Sequence, residues 1–148
     1  MQDTISAMAS QCPDSAIVVG GYSQGAAVVH RAVEELPAAT MDKIAGVLTY
    51  GDTQKLQDKN QVPNFDPAKT KIICAPGDAV CVGTLTILPA HLSYGADAKE
   101  GSDFLNQMIT QAQGAAAARK MKREIEASLE QEAAELNAEM QAAVGDAA

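Results

Sequence analysis
The chain has 148 residues, is 47% hydrophobic and carries a formal net charge of −8, which suits one globular domain with a real core. Both parts on either side of Gly114 are acidic (7 Lys+Arg against 12 Asp+Glu before it, 4 against 7 after it), so the charge speaks for solubility. It excludes nucleic acid as a partner, since no basic cluster could neutralise phosphates, and no apolar run is long enough to span a bilayer.

In chain order, Met1-Gln2-Asp3-Thr4-Ile5-Ser6 lacks the basic start and apolar core of a signal peptide. Residues 2–10 predict a short helix with Ile5, Met8 and Ala9 on one side. Cys12-Pro13-Asp14-Ser15 predicts a turn into Ala16-Ile17-Val18-Val19-Gly20, an uninterrupted apolar run that predicts a strand covered on both faces. Gly21-Tyr22-Ser23-Gln24-Gly25 comes next, followed by a helix that ends near Leu36-Pro37, with Ala26 and Ala27 allowing close approach to the sheet. Residues 44–50 predict a second buried strand, ended by Gly51-Asp52. Residues 52–69 read as a polar loop, and residues 71–74 as a third strand. Connections this long imply parallel pairing, and with it an α/β fold built as a three-layer sandwich. Residues 102–112 predict a helix with Phe104, Leu105, Met108 and Ile109 on one face.

Beyond Gly114 the composition changes. Residues 115–144 have neither Gly nor Pro, and Met121, Ile125, Leu129, Ala133, Leu136, Met140 and Val144 recur at steps of 4, 4, 4, 3, 4 and 4, one face of a long helix. That helix is either solvated, packed on the domain, or used for self-association. The division expected is 1–113 for the domain and 114–148 for the helical tail.

The turn at Ser23 carries the chemistry. G-x-S-x-G between a strand and a helix gives the serine a strained backbone with its hydroxyl pointing outward, while the Gln24 N–H faces the place where a tetrahedral oxyanion forms. The other reading is a tight turn with an incidental serine. A nucleophilic serine needs a base and an acid to orient it. Of the two histidines, His30 lies down the helix, too far from the hydroxyl, and reads as a surface or packing residue. His91, in the apolar loop with Leu85, Ile87, Leu88 and Leu92, can return over the carboxyl end of the sheet. Asp78 can reach the same edge, and the order Ser23, Asp78, His91 is that of α/β-hydrolases. Asp52 is the reserve acid, and Asp97 a further carboxylate. Cys12, Cys74 and Cys81 make an odd set, which implies a missing partner or a free thiol. A disulfide between Cys74 and Cys81 would contribute roughly 2–3 kcal/mol in the chain-entropy model and would pin Asp78. Metal binding is the competing reading, disfavoured by the spacing of seven and the lack of nearby ligands.

Taken together, Cys12-Pro13-Asp14, Gly21-Tyr22-Ser23-Gln24-Gly25-Ala26-Ala27, Asp42-Lys43-Ile44-Ala45-Gly46, Cys74-x-x-Gly77-Asp78-x-Val80-Cys81 and His91-Leu92-x-Tyr94 resemble the cutinases, secreted fungal serine esterases, over residues 1 to about 112. The resemblance implies Ser23 as nucleophile, His91 as base, Asp78 as orienting acid, the Gln24 N–H as an oxyanion donor and a Cys74–Cys81 disulfide. It also implies Leu85, Ile87 and Leu92 as apolar lips of an open site. The family carries a further stretch before the position of Met1, with a signal peptide, the first strands, a second oxyanion donor and a partner for Cys12. Proline usually stands immediately before the histidine, whereas here Ala90 intervenes after Pro89, and the tail after Gly114 has no counterpart.

The expectation is therefore the carboxyl-terminal part of a truncated, cutinase-like α/β-hydrolase with an added helix. It would hydrolyse cutin or similar lipid-like esters through an acyl-enzyme, without metal or cofactor, as a secreted protein, impaired by a missing oxyanion donor and an exposed sheet edge. Its partners would be the ester substrate and, through residues 115–144, other copies of itself. The rivals are an acetylxylan-type esterase and a catalytically silent fragment whose tail mediates association.

Overall fold
The computed structural model describes residues 1–146, with side chains described to residue 143. Three strands, β1 (Ile17–Tyr22), β2 (Ile44–Tyr50) and β3 (Thr70–Ile73), form a parallel sheet in the order β1-β2-β3. Four α-helices accompany it: α1 (Gln2–Gln11), α2 (Gln24–Glu34), the single turn α3 (Ala38–Met41) and α4 (Ala98–Asp146). By its contacts the chain divides into two units, Met1–Ala112 and Gln113–Ala148.

In the first unit β2 is the axis. Six of its seven residues are buried, as suits a central strand covered on both faces. Val47 belongs to a core with Ile5 and Ala9 of α1, Val29 and Val33 of α2, and Val19 of β1. Leu48, next in line, points the other way and packs with Ile73, Tyr94 and Leu105. Successive side chains of a strand face opposite sides, so one strand serves two cores and the unit acquires its layers.

Several expectations need correction. β1 was expected to be covered on both faces, but its residues alternate between buried and exposed, Val18 lying open while Ile17 and Val19 are buried. The reason is position: β1 is the outer strand of the described sheet and β2 the inner. Met8 is exposed, so only Ile5 and Ala9 of α1 face the core. The loop after Asp52 is not merely polar, since Val62 and Phe65 enter the core and Pro67–Lys69 form a 3₁₀ turn. Of the face at 104–109, Met108 alone is buried. Nor does the helix stop near Gly114: α4 runs through it. A single glycine costs about 1 kcal/mol relative to alanine, too little to break a helix flanked by strong helix formers.

In the second unit every side chain from residue 113 to 143 is exposed. Met121, Ile125, Leu129, Leu136 and Met140 stand between 54% and 63% accessible. Val144, the last position of that stripe, and residues 147–148 lie outside the described residues.

The turn after β1 depends on one close approach. A Cβ placed on Gly21 would lie 2.5 Å from the carbonyl oxygen of Gly25, whereas one on Gly25 meets nothing within 4 Å. Gly21→Ala should therefore destabilise the fold by about 1–3 kcal/mol, the range for forced overpacking, while Gly25→Ala should be neutral or stabilising by up to about 1 kcal/mol. Urea denaturation of the two variants checks this, and equal effects would contradict it.

Candidate active site
Ser23 is the N-cap of α2, with φ 56° and ψ −121°. Positive φ is uncommon for a side chain other than glycine and stores about 1–3 kcal/mol of strain. Two backbone bonds hold it there: the Ser23 N–H donates to the Tyr50 carbonyl at 2.9 Å, and the Ala26 N–H donates to the Ser23 carbonyl at 2.9 Å. A serine at an N-cap ordinarily turns its hydroxyl back onto the first turn of its helix. Here no side-chain cap forms. The hydroxyl lies 2.8 Å from His91 Nε2 instead.

His91 sits in the 3₁₀ turn Pro89–Leu92 and is buried. Its ring stacks on Tyr22, centroids 5.1 Å apart at 23°, and the Tyr22 hydroxyl donates to the His91 carbonyl at 2.6 Å. The ring also lies against Gly51, where a Cβ would come within 2.8 Å of His91 Cε1; glycine is also suited to the φ of +53° there. Nδ1 lies 2.8 Å from Asp78 Oδ2. An ionised carboxylate can only accept, so Nδ1 carries the proton and Nε2 of the neutral ring is left to accept from Ser23.

Asp78 begins the 3₁₀ turn Ala79–Val82, in the loop that the Cys74–Cys81 disulfide closes. Its Oδ1 accepts the Val80 N–H at 3.0 Å, and Oδ2 accepts the Tyr94 hydroxyl at 2.5 Å as well as His91. Burial pushes this carboxyl up, but the bonds from Tyr94, His91 and Val80 outweigh it and hold Asp78 below the usual carboxylate range. Tyr94, buried against that charge, is raised to about 12 and stays a donor. It also accepts the Ala75 N–H at 3.0 Å.

The structure thus brings Ser23, His91 and Asp78 into one array. It keeps the other candidates apart. Asp52, the reserve acid, gives its carboxylate to His30, Thr49 and the Gln54 N–H. Asp97 stands near Tyr50, whose hydroxyl is raised by burial and then by Asp97 and Glu100. His30 is no surface residue but fully buried between two aspartates. Cys12 is free. Gln24 opens α2 immediately after Ser23. Leu85 and Ile87 are exposed on the segment before His91, and Leu92 is exposed beside it, lining with Tyr22, Tyr50 and Tyr94 an open cleft of about 360 Å³. A larger cleft, about 680 Å³, runs along α1 and the outer side of β1 but holds none of these groups.

Sequence reasoning gave no role to Tyr22, Gly51 or Tyr94. Tyr94 stands three positions beyond His91, near enough to have suggested a shared turn. For Gly51, only its place at the end of a strand hinted at close approach.

The cutinase family model matches residues 1–109. The chain is 57% identical over 101 residues to Cutinase CUT2 of Pyricularia oryzae, covering 68% of this chain and 47% of that protein. It is 41% identical over 108 residues to Cutinase 1 of Fusarium vanettenii, covering 72% and 47%. Among solved structures it is similar to Trichoderma reesei cutinase in complex with a C11Y4 phosphonate inhibitor, with TM-score 0.69 and 41% identity over 74% of this chain and 48% of that one. The chain spans about half the length of the curated relatives it matches.

Tyr94→Phe removes a donor from Asp78 and the acceptor of the Ala75 N–H. A loss of about 1–3 kcal/mol is expected at neutral pH. The depressed pKa of Asp78 gives stability that is present above its ordinary value and lost as pH falls through the depressed one. With Tyr94 gone the depression is smaller, so less stability is lost and the loss is complete at a higher pH; the two profiles should converge as pH falls, and urea midpoints measured between neutral and acid pH read it. Parallel profiles for the two proteins would contradict this account.

Proposed function
Because the chain belongs to the cutinase family, we propose that it is a serine esterase, hydrolysing carboxylic esters through an acyl-enzyme. The observation that carries this reading is the unbroken path from Ser23 Oγ to His91 Nε2 and from His91 Nδ1 to Asp78, at 2.8 Å each. Ser23 Oγ attacks the ester carbonyl as His91 Nε2 takes its proton, and Asp78 steadies the imidazolium. The tetrahedral oxyanion meets the N–H of Gln24 at the uncapped start of α2, where the helix dipole favours negative charge. Collapse breaks the ester C–O bond, and His91 returns the proton to the leaving alkoxide. Water, deprotonated by His91, then releases the acid and restores Ser23.

The favoured substrates are cutin or similar lipid-like esters. Exposed Leu85, Ile87 and Leu92 present apolar surface suited to acyl chains, which speaks against an acetylxylan-type preference. The Cys74–Cys81 disulfide suits an oxidising, extracellular setting. On p-nitrophenyl butyrate the chain should turn over with a burst, and Ser23→Ala should lose up to about 10⁶-fold in kcat. Equal rates for the two would sink the reading and leave the silent fragment as the better account.

The tail supports a second, separate activity, the pairing of two copies of this chain. Its apolar face lies on a helix that carries Arg119, Lys120, Lys122 and Arg123 near the start and six Glu from Glu124 to Glu139 further on. An antiparallel arrangement sets the basic end of one copy against the acidic stretch of the other. Sedimentation should find a dimer that dissociates in the Ile125→Glu, Leu129→Glu double variant. A wild-type monomer at every concentration tested would rule this out.

A further inference from the structure
The chain has two histidines, and the esterase mechanism uses one. The other, His30, has no accessible surface, although nothing in the sequence asks for an imidazole in the middle of α2. Its Nε2 lies 2.8 Å from Asp52 Oδ2 and its Nδ1 lies 2.7 Å from Asp58 Oδ2. Two acceptor-only carboxylates on the two ring nitrogens require both to carry protons, so His30 is an imidazolium. A buried charge of this kind is expensive unless paired on every side. Here the pairing is complete, and no buried side-chain nitrogen or oxygen among the described residues lacks a partner.

The inner carboxylate matters most. Asp52 Oδ2 also accepts the Thr49 hydroxyl at 2.6 Å, and Oδ1 accepts the Gln54 N–H at 2.8 Å. Asp52 therefore grips the end of β2 on one side and the start of the following loop on the other. Between those grips stand Tyr50, whose carbonyl accepts the Ser23 N–H, and Gly51, against which the His91 ring rests. Thr53 extends the same contact, its hydroxyl reaching the Ser23 carbonyl at 3.4 Å. On the far side, His30 belongs to the helix that Ser23 begins.

We propose that His30 and Asp52 are positioning residues, a buried ion pair that bolts the helix carrying Ser23 to the turn on which His91 rests, and so fixes the distance between nucleophile and base. This rests on the esterase reading for its consequence, though not for its geometry. The pair works only while His30 is charged. The groups facing it are Asp52 and Asp58 from the loop after β2, with Arg31 of α2 bonded in turn to Asp58 and to Glu34. Burial lowers the His30 pKa, but the bonds and charges of Asp52 and Asp58 outweigh it and the net shift is upward. The bolt is thus whole below the ordinary histidine value and is lost as pH rises through the folded one. Deprotonation leaves a ring lone pair facing a carboxylate, which repels it.

The test combines imidazole NMR with kinetics on the full chain. With two histidines, the spectrum is assigned by one His91→Gln control. In the wild type, His30 should remain doubly protonated at neutral pH, and its deprotonation at higher pH should move the His91 ring signals in the same step. Asp52→Asn should shift those His91 signals and lower kcat on p-nitrophenyl butyrate by about 10- to 100-fold with KM nearly unchanged, the effect of a misplaced reacting group. The neutral pair His30→Gln with Asp52→Asn should recover part of that kcat and abolish the alkaline step. His91 signals indifferent to the charge of His30 in the wild type would overturn the proposal, whether or not the single variant folds. So would an unchanged kcat in folded Asp52→Asn. If the wild-type chain shows no turnover, the esterase reading fails by itself, and the NMR titration alone decides whether the bolt exists.

Discussion

The parallel pairing of β1 with β2 carries one residue past the strands, where the Ser23 N–H takes the Tyr50 carbonyl at 2.9 Å, and the rest of the site depends on that bond. It ends the sheet ladder and bends the backbone of Ser23 into positive φ. It also aims the hydroxyl away from the helix it would otherwise cap. Parallel strands finish at the same edge, so β2 delivers Gly51 and β3 leads into the loop of Asp78 beside the same serine. An antiparallel partner would have sent one of these to the opposite end. The strain at Ser23 is tolerated because Gly21 lies against the carbonyl of Gly25 and leaves the turn no other shape.

Two buried histidines in one small unit show how surroundings divide labour between identical side chains. His91 meets one carboxylate and one hydroxyl, so a single proton on Nδ1 satisfies it and Nε2 remains free to accept. His30 meets two carboxylates and must keep both protons. The first arrangement suits a ring that gains and returns a proton; the second suits a fixed cation. Asp78 and Asp52, by contrast, are held alike. Both are depressed by their hydrogen bonds against the effect of burial, and each shares Oδ2 between a histidine and a hydroxyl (His91 and Tyr94, His30 and Thr49) while Oδ1 takes the backbone N–H two residues on (Val80, Gln54).

The tail obeys different rules from the domain. Residues 113–143 are exposed throughout, and their helix rests on local propensity, on the absence of Pro, and on spaced pairs such as Lys120 with Glu124 and Lys122 with Glu126. Exposed pairs of this type contribute little each. The apolar stripe from Met121 to Met140 is therefore the part of the tail with most to gain from a partner.

By itself the sequence determined the elements whose signal is local. The apolar runs at 16–20 and 44–50, the glycines and serine of the first turn and the helical periodicity all come from neighbours along the chain. Periodicity and turn chemistry act over a few residues, so they can be read there. Tertiary structure decided what depends on contacts between distant segments. It made β1 an outer strand and sent Val62 and Phe65 into the core. It gave Asp52 to His30 and Asp78 to His91, and it brought Tyr22, Gly51 and Tyr94 around the imidazole. A carboxylate's role is set by which donors meet it, and a histidine's by how many carboxylates face it. Neither is fixed until the strands have paired.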